Sequence, residues 1–156
     1  MADISSLSIP STSNTTKSAS DYKNYLIAYR SFSNQKNKFA PKSTVKLDSQ
    51  FSECLAADYF SFRKSAKKHF DGYRVVAGKK EYYEVKGTGF NNNRVSFNPV
   101  NQADHVIWIK ATSTEVEIRE INNAIYNSLP KVAKGKRASI TLDAYLKKNQ
   151  KVLSRV

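Results

Sequence analysis

The apolar run His105-Val-Ile-Trp-Ile-Lys110 constrains the fold more than any other segment of the chain. A short, continuous apolar run is typical of a central strand that is covered on both faces. Two runs rich in Tyr and Val, 71–76 and 81–86, precede it, and the four residues 77–80 between them predict a β-hairpin. Residues 115–119 alternate acidic and apolar side chains, which predicts a further strand nearer an edge. The chain is therefore expected to fold around a sheet.

Two helices are predicted before the sheet. The first begins at Ser20 or Asp21 and ends near Ser33, and its apolar stripe is formed by Tyr22, Tyr25, Leu26, Tyr29 and Phe32. The second begins at Ser49, after a polar and basic loop over 34–46, and its stripe consists of Phe51, Leu55, Tyr59 and Phe62.

Two more helices are predicted after the strands, one over 122–129 and one from Thr141 or Asp143 through Val152. The order of elements is then helix, helix, hairpin, strands and helices. This order predicts a single α/β or α+β domain with a mixed sheet flanked by helices.

Composition sets the limits of the domain. Residues 1–20 hold ten Ser or Thr and only two charged side chains, so they are expected to form a flexible tail before a single domain over 21–156. The single cysteine, Cys54, excludes an internal disulfide and any zinc site with two thiolates from one chain. Without a signal peptide or an apolar segment of membrane length, a cytoplasmic protein that is neither secreted nor membrane-bound is expected.

The charge of the chain points to a polyanionic partner. Lys and Arg number 26 against 13 Asp and Glu, a formal net charge of +13, and such an excess favours nucleic acid because it releases counterions from phosphates. Residues 121–156 alone contain eight basic side chains against one acid. The candidate nucleic-acid contacts in this region and in the hairpin are Lys134, Lys136, Arg137, Lys79 and Lys80.

The hairpin brings two carboxylates and a lysine together. Side chains alternate between the faces of a strand, so Glu84 and Lys86 point to the same side. A hairpin centred on Gly78 and Lys79 pairs Asp71 with Lys86 on that same face.

Such a trio suits metal-assisted hydrolysis of a phosphodiester. Mg²⁺ prefers oxygen ligands and takes one or two carboxylates, which Asp71 and Glu84 can supply, and Mn²⁺ can take its place. Lys86 can orient or deprotonate the attacking water, or stabilise the negative charge that develops on the phosphate.

This pattern resembles the PD-(D/E)XK nuclease superfamily, in which an Asp precedes a strand that bears Glu-x-Lys. Here Asp71 lies in Phe70-Asp71-Gly72, and Glu84-Val85-Lys86 follows 13 positions later. The segment 51–57, with Glu53, resembles the glutamate-bearing helix of such proteins, and 104–110 resembles their later apolar strand. The chain differs in having Phe70 where the motif has proline.

The resemblance implies a restriction-endonuclease-like core whose hairpin carries the active site. Asp71 and Glu84 would be metal ligands with the Val85 carbonyl, Lys86 would orient the water, and Glu53 would be an accessory acid. The implied function is a Mg²⁺-dependent endonuclease for double-stranded DNA, site-specific and of restriction or homing type. Because each chain has one centre, cutting two strands implies a homodimer or a higher symmetric homo-oligomer.

Two other functions fit the same residues. A Glu-x-Lys pair on an exposed strand is usually a solvated ion pair, so the chain could be a non-catalytic basic DNA-binding module. An RNA-directed nuclease toxin would be basic for the same electrostatic reason. The loop after Lys86 is either a flexible connection or a substrate loop, with Asn91, Asn92, Asn93 and Arg94 as its candidate contacts.

Overall fold

The computed structural model describes residues 17–65, 69–90, 92–97, 103–121, 138–141 and 151–155, with the backbone alone for Phe97 and the last two ranges. These residues form helices α1 (Ala19–Phe39) and α2 (Ser49–Phe60) and strands β1 (Arg63–Lys64), β2 (Gly72–Val76), β3 (Lys79–Thr88), β4 (Arg94–Phe97), β5 (His105–Ala111), β6 (Val116–Ile121), β7 (Ala138–Thr141) and β8 (Lys151–Arg155). The predicted α+β class and the four predicted strands are confirmed.

Six strands form one mixed sheet in the order β1-β2-β3-β5-β6-β8, and β4 and β7 form a separate antiparallel pair. Within the six-stranded sheet β3 and β5 are parallel, and the other neighbours are antiparallel. Because β5 lies between β3 and β6, the apolar run does occupy the middle of the sheet. Its residues Val106, Ile107, Trp108 and Ile109 are completely buried.

Both helices cover one face of the sheet. Their buried side chains, including Leu26 and Leu55, join one core cluster with Tyr83, Val85 and Ile107 from the strands. Ala56 and Ala57 on α2 are fully buried, as expected where a helix approaches its neighbours closely. The same face of β5 and β6 contributes Ile109 and Ile118 to the cluster. The fold therefore places α2 directly against β3, the strand that bears Glu-x-Lys.

Helix α1 differs from its prediction at both ends. Ser18 caps it, with Asp21 completing a capping box, and it continues six residues beyond Ser33 to Phe39. Phe32 is 61% exposed, whereas Ser33 is buried and its hydroxyl donates to the Tyr29 carbonyl. A helix interior can bury a serine in this way because its own preceding turn accepts the hydroxyl hydrogen.

The hairpin turn also differs from the prediction. Ala77 and Gly78 both have positive φ, 49° and 78°, and they alone connect β2 to β3. Such a two-residue turn matches the twist of the paired strands. Val76 therefore pairs with Lys79, and Gly72 pairs with Tyr83. The register is shifted by two residues from a hairpin centred on Gly78 and Lys79.

The prediction of a last helix from Thr141 or Asp143 through Val152 is wrong at its end and for the start at Thr141, whereas Asp143 lies outside the described residues. Thr141 ends strand β7, and Val152 lies in β8, where it pairs with Arg119 of β6. The helix predicted over 122–129 lies outside the described residues, as do residues 1–16 of the predicted tail. Residues 18–20 form the cap and the start of α1 rather than a tail.

His105 links β3, β5 and β6 at one end of the sheet. Its Nδ1 lies 2.9 Å from Glu120 Oε1, and its Nε2 lies 3.0 Å from Glu81 Oε2. Burial by itself would lower the pKa of His105, but the hydrogen bonds to the two carboxylates outweigh it, and the pKa is raised. The histidine therefore has a structural role between strands. No helix in the described part of the chain is long and apolar enough to cross a membrane.

Candidate active site

Asp71 lies at the point where β2 separates from β3. The ladder between the two strands continues one step past Gly72, because the Asp71 N–H donates to the Tyr83 carbonyl over 3.0 Å. The Asp71 carboxylate then takes over the role of a strand partner, since its Oδ2 accepts from the Val85 N–H over 2.6 Å. The carboxylate is thus fixed against the strand that bears Glu-x-Lys.

The observed register places Asp71 opposite Glu84 rather than opposite Lys86. A shift of two residues leaves every side chain on its original face, because the period of a strand is two. The predicted convergence of Asp71, Glu84 and Lys86 therefore survives although the predicted pairing was wrong.

Glu84 and Lys86 contact each other on that face. The Lys86 ammonium forms an ion pair with Glu84 Oε1. The Lys86 side chain is 31% exposed, and the Glu84 side chain is 15% exposed. The pair is therefore neither fully solvated nor fully buried, and solvent or a substrate can reach it. Both side chains are therefore less exposed than those of the solvated ion pair that is usual on an open sheet face.

The Val85 carbonyl faces the same edge as the Asp71 carboxylate. In a strand the N–H and C=O of one residue point to the same side, and the Val85 N–H points to Asp71. The Val85 side chain is buried in the core below. The carbonyl thus lies where β2 no longer pairs with β3, next to two carboxylates.

Glu53 approaches this group from helix α2. Burial raises its pKa first, and the negative charges of Asp71 and Glu84 raise it further, while Lys64 and Lys86 oppose them. These interactions show that the helix glutamate lies within electrostatic range of all three hairpin residues. The structure therefore brings together the four predicted catalytic side chains.

Gly87 explains how α2 comes so close to β3. A Cβ built at Gly87 would overlap the Ser52 hydroxyl and would lie 3.0 Å from the Ser52 Cβ. Ser52 is buried, and Glu53 is its neighbour on the helix. A glycine directly after Lys86 thus permits the helix contact that positions Glu53.

Replacing Gly87 by alanine is expected to destabilise the fold by about 1–3 kcal/mol, because the new methyl group overpacks the contact with Ser52. Ser52→Gly removes the atoms that clash. In that background, Gly87→Ala should cost at least about 1 kcal/mol less, which urea unfolding of the four proteins in a double-mutant cycle would measure. Equal costs in both backgrounds would contradict the contact.

Glu53→Gln is expected to stabilise the fold at neutral pH by ~0.5 kcal/mol, the scale of a partly solvated charge interaction. The raised pKa means that folding disfavours the Glu53 carboxylate, so the gain exists at pH above the folded pKa. It should vanish below the unfolded pKa, about 4.3, where the native carboxyl is protonated in both states. Thermal unfolding of both proteins from pH 3.5 to 8 would show it, and a constant difference would contradict the assignment.

The predicted nucleic-acid contacts fall into three groups. Lys79 and Lys80 are exposed at the hairpin, and Arg94 is exposed at the start of β4. Asn92 accepts from the Arg94 N–H over 3.0 Å, and Asn93 accepts from the Lys110 ammonium over 2.6 Å, so both have local partners. The residues outside the described ranges are Asn91, Lys134, Lys136 and Arg137.

Sequence reasoning missed Lys64 and Arg63. Lys64 lies in β1, and its ammonium donates to the Gln50 side chain over 2.8 Å. Its positive charge acts to lower the pKa of Glu53. Nothing in the chain before the hairpin marks a two-residue strand, because so short a segment has no period. Only the pairing of β1 with β2, Arg63 with Tyr73 and Lys64 with Gly72, brings these cations to this edge of the sheet.

The donor set fits a hard divalent cation better than zinc. In the described residues, no group of three or more His, Cys, Asp or Glu side chains is arranged to hold a metal. Two carboxylates beside a backbone carbonyl at an accessible edge are what Mg²⁺ uses when water and substrate oxygens complete its coordination. Asp71 also keeps a second carboxylate oxygen besides the one that binds Val85.

Comparisons with known proteins add no relative. No family model, no curated protein and no solved structure matches the chain.

Proposed function

We propose that the chain is a Mg²⁺-dependent endonuclease that hydrolyses phosphodiester bonds of double-stranded DNA. The observation that carries the proposal is the convergence of Asp71, Glu84, Lys86 and Glu53 at the edge where β2 leaves β3. A net charge of +13 supports a polyanionic substrate.

The backbone arrangement supports a restriction-endonuclease-like core as part of this proposal. A glutamate-bearing helix precedes an antiparallel hairpin, and the strand with Glu-x-Lys is parallel to a later buried strand. The connection between those two strands contains β4 in its described part. The local order of helix, Asp, Glu-x-Lys and apolar strand agrees with the resemblance to the PD-(D/E)XK superfamily.

Each residue would have a distinct role in hydrolysis. Asp71, Glu84 and the Val85 carbonyl would hold Mg²⁺, and bound Mg²⁺ would stabilise the charge on the phosphate and lower the pKa of a coordinated water. The Lys86 ammonium would orient the attacking water in line with the leaving oxygen and offset the developing negative charge. Glu53, whose pKa is already raised, would accept a hydrogen bond or a proton from that water.

The positioning of these groups derives from the fold. Asp71 is held by the Val85 N–H, and Glu53 is held by the packing of α2 on Gly87. Groups held before substrate arrives need no reorganisation during the reaction. Because the described part of the chain has one such centre, we propose a homodimer or a higher symmetric homo-oligomer for cutting both strands.

Incubation of the purified chain with supercoiled plasmid and long linear duplex, in Mg²⁺, Mn²⁺ or EDTA, tests the proposal. The expected result is metal-dependent cleavage that EDTA abolishes, with discrete fragments if cutting is site-specific. Structured RNA is the parallel substrate, and cleavage of RNA with indifference to duplex DNA would replace the proposal by a toxin-like ribonuclease. Tight, salt-sensitive DNA binding with no cleavage across a random-sequence library would replace it by a binding module.

A further inference from the structure

A cavity of about 400 Å³ lies at the outer edge of the hairpin. It is formed where the chain leaves α2 and enters β1, and β2 and the start of β3 close its other side. Its polar lining includes Arg63, Tyr73, Arg74 and Lys80. Nothing in the proposed hydrolysis uses this cavity.

The lining is cationic. Arg63 and Lys80 are exposed, and among the described residues neither forms an ion pair with a carboxylate. Arg74 differs, because its guanidinium lies 3.4 Å from Glu81 Oε2 and its positive charge is compensated by that carboxylate. No Asp or Glu from the described part of the chain lines the cavity. Two uncompensated cations around one concave surface attract an anion.

The Lys80 side chain is held against an aromatic ring rather than extended into solvent. Its ammonium lies 4.8 Å from the centre of the Tyr73 ring, a cation–π contact. Tyr73 pairs with Arg63 of β1 on one side and with Tyr82 of β3 on the other, so Arg63 and Tyr73 share a sheet face. Lys80 therefore contacts the Tyr73 ring from β3, and Arg63 lies next to Tyr73 on β1.

This face is the one that bears the candidate active site. Residues Lys80, Tyr82, Glu84 and Lys86 alternate along β3 and point to the same side. Four residues of strand separate Lys80 from Glu84, about 13 Å at 3.3 Å per residue. Because a DNA strand winds around the helix axis, neighbouring phosphates are farther apart in space than their spacing of about 3.4 Å along the axis, and this distance spans a few nucleotides.

We propose that Arg63 and Lys80 form a phosphate subsite that binds the backbone of the DNA strand a few nucleotides from the cleaved bond. The inference rests on the proposed function and adds to it a second anchoring point for the substrate. Two anchors on one sheet face would align the strand along β3 and so present its phosphodiester to Asp71 and Lys86. The ligand class is a backbone phosphodiester, which carries no base identity.

Equilibrium binding of a fluorescent long duplex tests the subsite. EDTA prevents cleavage, and NaCl is varied from 50 to 300 mM for the wild type, Arg63→Ala, Lys80→Ala and the double variant. Each lost phosphate contact should make the negative slope of log K against log salt shallower by about 0.9. At 0.1 M salt this corresponds to an affinity about eightfold weaker. Lys23→Ala is the matched control, since it removes one exposed positive charge from α1.

The outcomes separate the subsite from the function. Smaller slopes for both variants, with a wild-type slope for Lys23→Ala and recovery of the slope by Lys80→Arg, would support the subsite. Wild-type slopes for Arg63→Ala and Lys80→Ala would overturn it, even if the wild type cleaves DNA in Mg²⁺. Absence of duplex binding by the wild type would overturn the subsite and the proposed function together. Unchanged thermal unfolding shows that each variant is folded.

Discussion

Lys86→Ala is expected to lower the rate of Mg²⁺-dependent DNA cleavage by about 10³, within the range that a positioned acid–base group contributes. The variant removes the ammonium that contacts Glu84 and that would orient the attacking water. It leaves Asp71 bound to the Val85 N–H, because that bond uses the backbone of the strand. Initial rates of plasmid nicking and linearisation would measure the effect.

The matched control for Lys86→Ala is again Lys23→Ala, which removes the same charge at an exposed position of α1 and should cleave at the wild-type rate. Duplex binding in EDTA should fall by less than about tenfold, the contribution of one phosphate contact at 0.1 M salt. A loss of cleavage that merely parallels a loss of binding would make Lys86 a substrate contact. Cleavage at the wild-type rate would remove Lys86 from the reaction.

Trp108→Ala is expected to destabilise the fold by about 3–5 kcal/mol, the usual cost of truncating a fully buried tryptophan. The indole fills the middle of the sheet, and its N–H donates to the Thr88 hydroxyl over 2.8 Å. The variant also leaves the buried Thr88 without this donor. At about 2–4 °C per kcal/mol, the midpoint of thermal unfolding should fall by roughly 10 °C.

Ile27→Ala is the control for the tryptophan variant. Ile27 is 56% exposed on α1, so its truncation should change stability by no more than about 0.5 kcal/mol. Calorimetry of the two variants would compare them directly. A loss below about 1 kcal/mol for Trp108→Ala would contradict the central position of β5.

The strands were predictable because their patterns are short-range. Six consecutive residues from His105 identify a buried strand, and two Tyr- and Val-rich runs around a glycine identify a hairpin. The order β1-β2-β3-β5-β6-β8 was not predictable, because it depends on which edges pair over long separations. Strand β8 lies at the end of the last predicted helix, which was inferred from the helical spacing of Tyr145, Leu146 and Val152.

The candidate site was predictable for a different reason. Its hairpin residues are close in sequence, and their shared face depends only on whether the register shift is even. The turn at Ala77 and Gly78 moved the partner of Asp71 by two positions and preserved that face. By contrast, the approach of Glu53 depends on the packing of Ser52 against Gly87, which no local pattern displays.

Helix boundaries were less predictable than helix positions. Phe32 fits the apolar stripe of α1 by spacing, yet it is exposed and Ser33 is buried. Sequence spacing assigns residues to a helix face, but the position of the neighbouring elements decides how wide the covered face is. The helix also continues to Phe39 through polar residues predicted as a loop, and its last turn carries Lys36 and Lys38, whose charges are favourable at a helix C-terminus.

The two-residue turn between β2 and β3 also bears on how the chain folds. Asp71, Glu84 and Lys86 lie within 16 consecutive residues, and a hairpin of this kind forms in about 1–10 μs, whereas the parallel pairing of β3 with β5 must close a longer loop. We therefore expect the acidic pair and its lysine to meet early, while the later strands are still being synthesised. On a nascent chain, the chemistry-bearing hairpin would precede the core that later makes it rigid.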